Sequence, residues 1–371
     1  MIADPVSTCV HEIRGDLDVF GLEIENLTRL ERLERVRGSI RITTNPGLTD
    51  LSGLCSLAAV DTRMDGTGGD FEVDGNPTLN DLIGLTRLER VAGKLSIRNN
   101  PGLVSMRGLS SLKSVGVDLK VWGNPALESL RGLDLLAAGP AITVYGNGSI
   151  VDLCGLHGLT VVDSLDVVGN SGLQTLWGAH HLERAAVEVH IGGNDALVDL
   201  VGLQSLSDVP HLKVRGNAAL QSLAGLDALV AVETLEVSEN DALLDWQASA
   251  KLLAVQHLEL CGNDGLTSLS ATNLTVDRLT VIYNDVLGDA AGQSYAASLG
   301  VSTTKIARNS PPPYADLSPC PWVGDGTCDE EDACYGHGCV WCGHDDCCGD
   351  TMPHAMCAPD TDDPQDCPGP I

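Results

Sequence analysis

Leu95-Ser-Ile-Arg-Asn-Asn-Pro-Gly-Leu103 and Leu119-Lys-Val-Trp-Gly-Asn-Pro-Ala-Leu127 are two copies of one pattern. Each opens on an apolar residue, with a second two positions later, an Asn three after that and a Leu three further on. The same Asn recurs as Asn45, Asn76, Asn100, Asn124, Asn147, Asn170, Asn194, Asn217, Asn240, Asn263, Asn284 and Asn309. Apart from an interval of 31 between the first two, the spacing stays between 21 and 25. Self-similarity at such a period marks a solenoid, in which each repeat is one coil and buries its apolar face against its neighbours.

Within a coil, the positions five and three before the Asn are apolar, as in Ile40 and Ile42, Phe71 and Val73, Ile142 and Val144, or Leu212 and Val214. Period two predicts a short strand with one face inside, and equivalent strands must stack in parallel about 4.8 Å apart. Thirteen such strands predict a ladder roughly 60 Å long. After the Asn, Leu recurs every third residue (Leu48, Leu51, Leu54, Leu57), which predicts a tight, partly 3₁₀ return path. Gly precedes the Asn in most coils, fitting a position that wants positive φ, and Pro follows at 46, 77, 101 and 125. The Asn amide is expected to pair backbone groups of its own and the adjacent coil, each of which would cost about 1–3 kcal/mol if buried alone. The fold class is therefore a β-rich repeat solenoid, parallel β-helix-like or leucine-rich-repeat-like, of about 22–24 residues per coil, followed by a small disulfide-rich module.

The chain divides into an N-terminal cap at 1–14, the solenoid at 15–309, a proline-rich linker at 310–319 and an acidic cysteine-rich module at 320–371. In the first coil Leu22 stands where later coils have Asn, as expected of a terminal repeat. Cys9 is expected to pair with Cys55 and staple the cap, the alternative being two buried thiols. Residues 61–70 account for the long interval and read as a flexible loop leaving the solenoid. From Asn240 onward the template decays: Trp246 and Ala290 replace Leu, and Thr304 opens the last strand, closing the C-terminal end.

The pattern G-x-L-x-I-x-x-N-P-x-L-x-x-L-x-x-L resembles the receptor L domain, a relative of leucine-rich repeats, over about 15–309. The resemblance implies a ligand-binding solenoid. Hormone binding does not carry over, because those receptors hold two short L domains around a furin-like region and this array is uninterrupted. Similar uninterrupted arrays occur in bacterial and fungal surface proteins.

In 320–371 there are nine Cys, twelve Asp or Glu and no Lys or Arg. Cys320-Pro-Trp-Val-Gly-Asp-Gly-Thr-Cys328-Asp-Glu, closing on an Asp-rich stretch from Cys357 to Cys367, resembles a bacterial cysteine-rich repeat and, more distantly, the calcium-binding Lin-Notch repeat. Calcium takes six to eight hard oxygens, and Asp325, Asp329, Glu330, Asp360, Asp362 and Asp366 could supply them once disulfides close the loop. The plain alternative is a solvated acidic surface. His337, Cys339, Cys342 and His344 have zinc-like spacing, a less favoured reading beside so many disulfide candidates. Nine is odd, so one cysteine is left over, either free or paired outside the module.

Thirteen cysteines point to an oxidising, extracellular or cell-surface location. The opening residues form no signal peptide, so an export signal is expected to have been removed. A net charge of −29 argues against nucleic acid, and no apolar run of 18 residues spans a membrane. No nucleotide-binding or hydrolase motif occurs, so no enzyme is expected; His180, His181 and His190 read as ordinary surface histidines.

Function is expected on the outward strand face, four and two residues before each Asn. These positions hold six basic and five acidic side chains although the whole chain is acidic. Arg98, Lys120, Trp122 and Tyr145 form its anchor-rich patch. The expected function is non-enzymatic recognition of a protein or glycan at a surface. The alternative is a structural spacer displaying the acidic module.

Overall fold

The structure, a computed structural model, describes residues 10–247, 249–270, 273–307 and 309. Thirteen parallel strands form one ladder in chain order: β1 (Leu17–Phe20), β2 (Ile40–Thr43), β3 (Phe71–Asp74), β4 (Leu95–Arg98), β5 (Asp118–Trp122), β6 (Ala141–Tyr145), β7 (Val161–Val168), β8 (Arg184–Gly192), β9 (His211–Arg215), β10 (Ala231–Ser238), β11 (Ala254–Cys261), β12 (Thr275–Ile282) and β13 (Thr303–Ala307). The apolar pairs align as their spacing requires. Ile97, Val121, Val144 and Val167 are successive partners, all buried. A second, five-stranded sheet runs through Glu12–Arg14, Arg35–Arg37, Ala59–Asp61, Arg90–Val91 and Ser114–Val115, so Glu12–Arg14 is already part of the first coil. The chain is a parallel β-solenoid.

The return path is tight, with 3₁₀ segments at Thr28–Leu30, Ser52–Leu54 and Arg107–Leu109 and turns elsewhere. Leu51, Leu54 and Leu57 each point inward and are fully buried. Coils approach so closely here that a Cβ on Gly108 would overlap the Leu82 carbonyl of the preceding coil. Equivalent glycines, such as Gly84 and Gly132, form a second column eight residues after the Asn.

All twelve Asn side chains are fully buried. In Asn170, Oδ1 accepts from the Asn147 backbone N–H at 3.0 Å. Its Nδ2 donates to the Val144 carbonyl of the preceding coil at 2.9 Å and to the Val168 carbonyl of its own at 3.2 Å. The same bonds repeat from coil to coil, giving a continuous amide ladder. The residue before the Asn is left-handed even where it is not Gly, as at Thr44 (φ 57°) and Glu239 (φ 57°). Such a residue costs roughly 1–2 kcal/mol of local strain, so the ladder dictates the backbone there rather than the reverse.

Both ends of the ladder are closed. Leu22, lacking an amide, gives its N–H to Asn45 Oδ1 at 3.1 Å. At the other end Asp289 Oδ1 accepts from the Asn309 backbone N–H and side-chain Nδ2 at 2.9 and 3.1 Å. Asp289 opens α1 (Asp289–Leu299), a helix in place of the expected return turn. Its Ala-rich sequence favours helix, and Gly300, left-handed at φ 70°, ends it. Tyr295 of α1 covers the last core layer and accepts a hydrogen bond from Trp246 Nε1 at 2.7 Å.

The 61–70 insertion differs from the expected free loop. Arg63 reaches back to Asp16 and donates to the Thr67 hydroxyl, while the Thr67 N–H and hydroxyl bond Asp65. Cys55, expected to bridge to Cys9, carries a free thiol 3.7 Å from the Glu31 carbonyl oxygen. Cys9, the linker at 310–319 and the module at 320–371 lie outside the described residues, and with them Cys320, Cys328, Cys357 and Cys367.

Asn170→Ala strands the Asn147 N–H and the Val144 carbonyl inside the wall. It is expected to lower stability by about 1–3 kcal/mol, read from the chemical-denaturation midpoint. An unchanged midpoint would argue against the ladder's energetic role.

Candidate functional site

Successive side chains of a strand alternate faces, so residues four and two before each Asn point away from the core. Parallel register turns them into two columns. One runs Arg98, Trp122, Tyr145, Val168, Gly192, Arg215, Ser238, and the other Ser96, Lys120, Thr143, Asp166, His190, Lys213, Glu236.

Trp122 and Tyr145 occupy adjacent rungs. Their rings meet edge to face, with centroids 5.7 Å apart and planes at 84°. Such a pair contributes about 0.5–1.5 kcal/mol beyond its buried area, which fixes both rings in one arrangement. Yet Trp122 stays 41% and Tyr145 44% exposed. The result is a rigid aromatic ledge with Lys120 and Thr143 in the column beside it. Lys120 is exposed and makes no ion pair among the described residues.

Arg98, expected in the same patch, turns the other way. Its guanidinium pairs with Glu72 and, at 3.1 Å, with Asp74. Two carboxylates on the preceding rung outcompete an aromatic face, because an ion pair in this half-buried setting gains more than cation–π contact. The structure thus joins Trp122, Tyr145 and Lys120 and assigns Arg98 to the flanking ion-pair group.

Two rungs on, Asp166, Glu188 and His190 bring their ligand atoms within 4.8 Å of one another. Lys213 closes the group, with Nζ 2.9 Å from Glu188. The His190 ring leans over Gly192: a Cβ there would sit 2.8 Å from its Nε2. His190 is therefore a half-buried member of a charged cluster, not the plain surface histidine that its register had implied. The clue in the sequence was Gly192 falling in a column otherwise occupied by side chains, which leaves room for a neighbour. Burial pushes the Asp166 carboxyl up and the His190 imidazole down, while its hydrogen bond to Glu188 raises Lys213. Two carboxylates and an imidazole are a donor set that a transition-metal ion could accept, and in this structure the Lys213 ammonium compensates their charge.

A third group lies on the return side. The Trp177 and His180 rings stack at 4.3 Å and 14°, and His181 Nδ1 lies 2.9 Å from the His157 carbonyl oxygen. Trp177 went unnoticed in the sequence because it sits among the Leu-spaced turns, outside the strand register. The acidic set Asp325, Asp329, Glu330, Asp360, Asp362 and Asp366 lies outside the described residues, as does the zinc-like His337–His344 stretch.

Neither a known protein family nor any curated protein matches the chain. Among the described residues no helix is long and apolar enough to cross a membrane. Function must therefore be read from the face itself.

The cluster makes a prediction for pH. Asp166 and Glu188 favour a charged His190, burial disfavours it, and burial is the larger effect. By NMR the imidazole is expected to titrate below the ordinary 6.5. Because its folded pKa is depressed, His190 contributes stability above pH 6.5 that is lost as pH falls through its folded pKa. A midpoint above 6.5 would mean that the carboxylates dominate.

Proposed function

We propose that the solenoid is a non-enzymatic recognition protein of the cell exterior, binding a surface protein or glycan through the strand face around β5 and β6. The exposed edge-to-face Trp122–Tyr145 pair carries this reading. Aromatic side chains are enriched among residues that dominate binding energy, and a ledge already held in one geometry loses little entropy on association. Lys120, without an ion pair among the described residues, and the Thr143 hydroxyl beside it supply directional contacts for either ligand class. The resemblance to receptor L domains supports the same reading, since there too a parallel-sheet solenoid presents a face to a ligand. Calcium binding by the acidic module belongs to the proposal as an accessory feature.

A second reading has one observation in its favour. Thirteen rungs make a stiff rod roughly 60 Å long, which suits a spacer that holds the acidic module away from a surface.

A screen of the full chain against surface proteins and glycans, with and without calcium, separates the two. A Trp122→Ala/Tyr145→Ala variant is expected to bind at least about 30-fold more weakly, the loss of an anchor worth 2 kcal/mol or more. Binding that survives the double substitution would move the site elsewhere. No binding partner in either calcium state would favour the spacer.

A further inference from the structure

Asp166, Glu188 and His190 are brought together by strand register. Asp166 on β7 is the direct partner of His190 on β8, and Glu188 stands two residues before His190 on the same face. Lys213 on β9 is the partner of His190 on its other side. The sheet therefore fixes where all four side chains start, and only their own torsions remain free.

Two of the four have no bond to the protein. Elsewhere on this face carboxylates are matched: Arg98 pairs with Glu72 and Asp74, Lys213 with Glu188, and the Ser238 hydroxyl donates to Glu236. Asp166 is half-buried, yet its carboxylate has neither a hydrogen bond nor an ion pair among the described residues. The half-buried His190 ring makes no hydrogen bond among them either. Buried polar groups are ordinarily paired, so a carboxylate and an imidazole facing each other in this way call for a common partner. With Glu188 the ligand atoms all lie within 4.8 Å of one another. Two carboxylates and a neutral imidazole are three acceptors, and a water has only two hydrogens to give them. A cation serves all three. Ligand atoms around a tetrahedral ion stand about 3.4 Å apart, so side-chain torsions need to close the group by about 1.4 Å at most.

We propose that Asp166, Glu188 and His190 bind a divalent first-row metal ion of the zinc class on the outward face of β7 and β8. One nitrogen and two carboxylate oxygens suit such an ion, whereas calcium takes six to eight hard oxygens and is poorly served by three donors. The Lys213 ammonium, 2.9 Å from Glu188, competes with the ion for the same negative charge. Its flexible four-carbon stem and 39% side-chain exposure let it swing into solvent when the ion enters. Three protein ligands leave a coordination position open on the outward side, where water or a donor from a bound partner can sit. This inference does not depend on the Trp122–Tyr145 reading.

Zinc is the probe for the test. The full chain, labelled with 15N-histidine, would be titrated with zinc chloride and its ring signals followed by NMR. The His190 signal is the one missing from His190→Gln, so zinc taken by cysteines or other histidines does not enter the readout. That signal is expected to move to a saturated position, and competition with a chelator then gives the dissociation constant of this site. Asp166→Asn and Glu188→Gln, which keep side-chain shape, are expected to weaken binding by at least about tenfold. Lys213→Met is expected to tighten it by at least about tenfold, because a like charge beside the ion is removed. Circular dichroism would confirm that each variant is folded, and Lys213→Gln replaces Lys213→Met if the latter is not. A His190 signal that stays in place under excess zinc would overturn the proposal. So would unchanged affinity in Asp166→Asn or Glu188→Gln, or no tightening on loss of the Lys213 charge. Movement confined to the His157, His180 and His181 signals would put the zinc on the return side and overturn it as well.

Discussion

Stacking coils at 4.8 Å leaves backbone N–H and C=O groups at each inward turn with no water and no strand partner. The buried Asn answers that requirement. One amide accepts from the coil before it and donates to carbonyls of two coils, so each rung is completed only by its neighbour. The rest of the architecture follows from that bond set. It forces the left-handed residue ahead of each Asn from Asn45 to Asn284, Gly or not, and fixes the phase of the strand that precedes it. It also requires a terminator at each end, found in the Leu22 N–H and the Asp289 carboxylate.

Phase is what connects the ladder to function. Because every Asn is in register with the next, residues at fixed distances before it line up in columns across the strands. A Trp and a Tyr that are 23 residues apart in sequence become rigid neighbours on one face. Asp166, Glu188, His190 and Lys213 are collected in the same way from three consecutive strands. No loop has to order to build either group, so the scaffold holds them in place without further cost on binding.

Most of this was legible in the sequence, since a polar residue recurring within an apolar pattern is visible without structure. Asn100 and Asn124 with their flanking strands fix coil length, strand direction and facing. What escaped detection was competition among local partners. Arg98 lies in the right column, but Glu72 and Asp74 on the preceding rung claim its charge. The insertion at 61–70 reads as a loop, yet Arg63 finds Asp16, a contact that composition does not announce. The helix α1 was hidden because Asn284 and Leu287 continue the coil template until Asp289, where the Ala-rich run takes over. The second glycine column was in plain view and was missed because its cause, the Leu82 carbonyl pressing on Gly108, lies in another coil.

A linear array also lets neighbouring tasks stay separate. Each rung contacts chiefly the next, so a change on one face is felt over one or two coils and then fades. Trp122 ends β5 and Cys261 ends β11, six rungs or about 29 Å apart. Effects at sites that far apart, with no shared partner, add independently. Groups as unlike as the exposed aromatic pair on β5 and β6 and the buried Cys261–Ile282 pair on β11 and β12 can therefore coexist on one sheet. A compact core of equal size would couple them. The repeat thus gives this chain more than length: it provides several insulated places on one face, each specified by a few residues at fixed distances from a buried Asn.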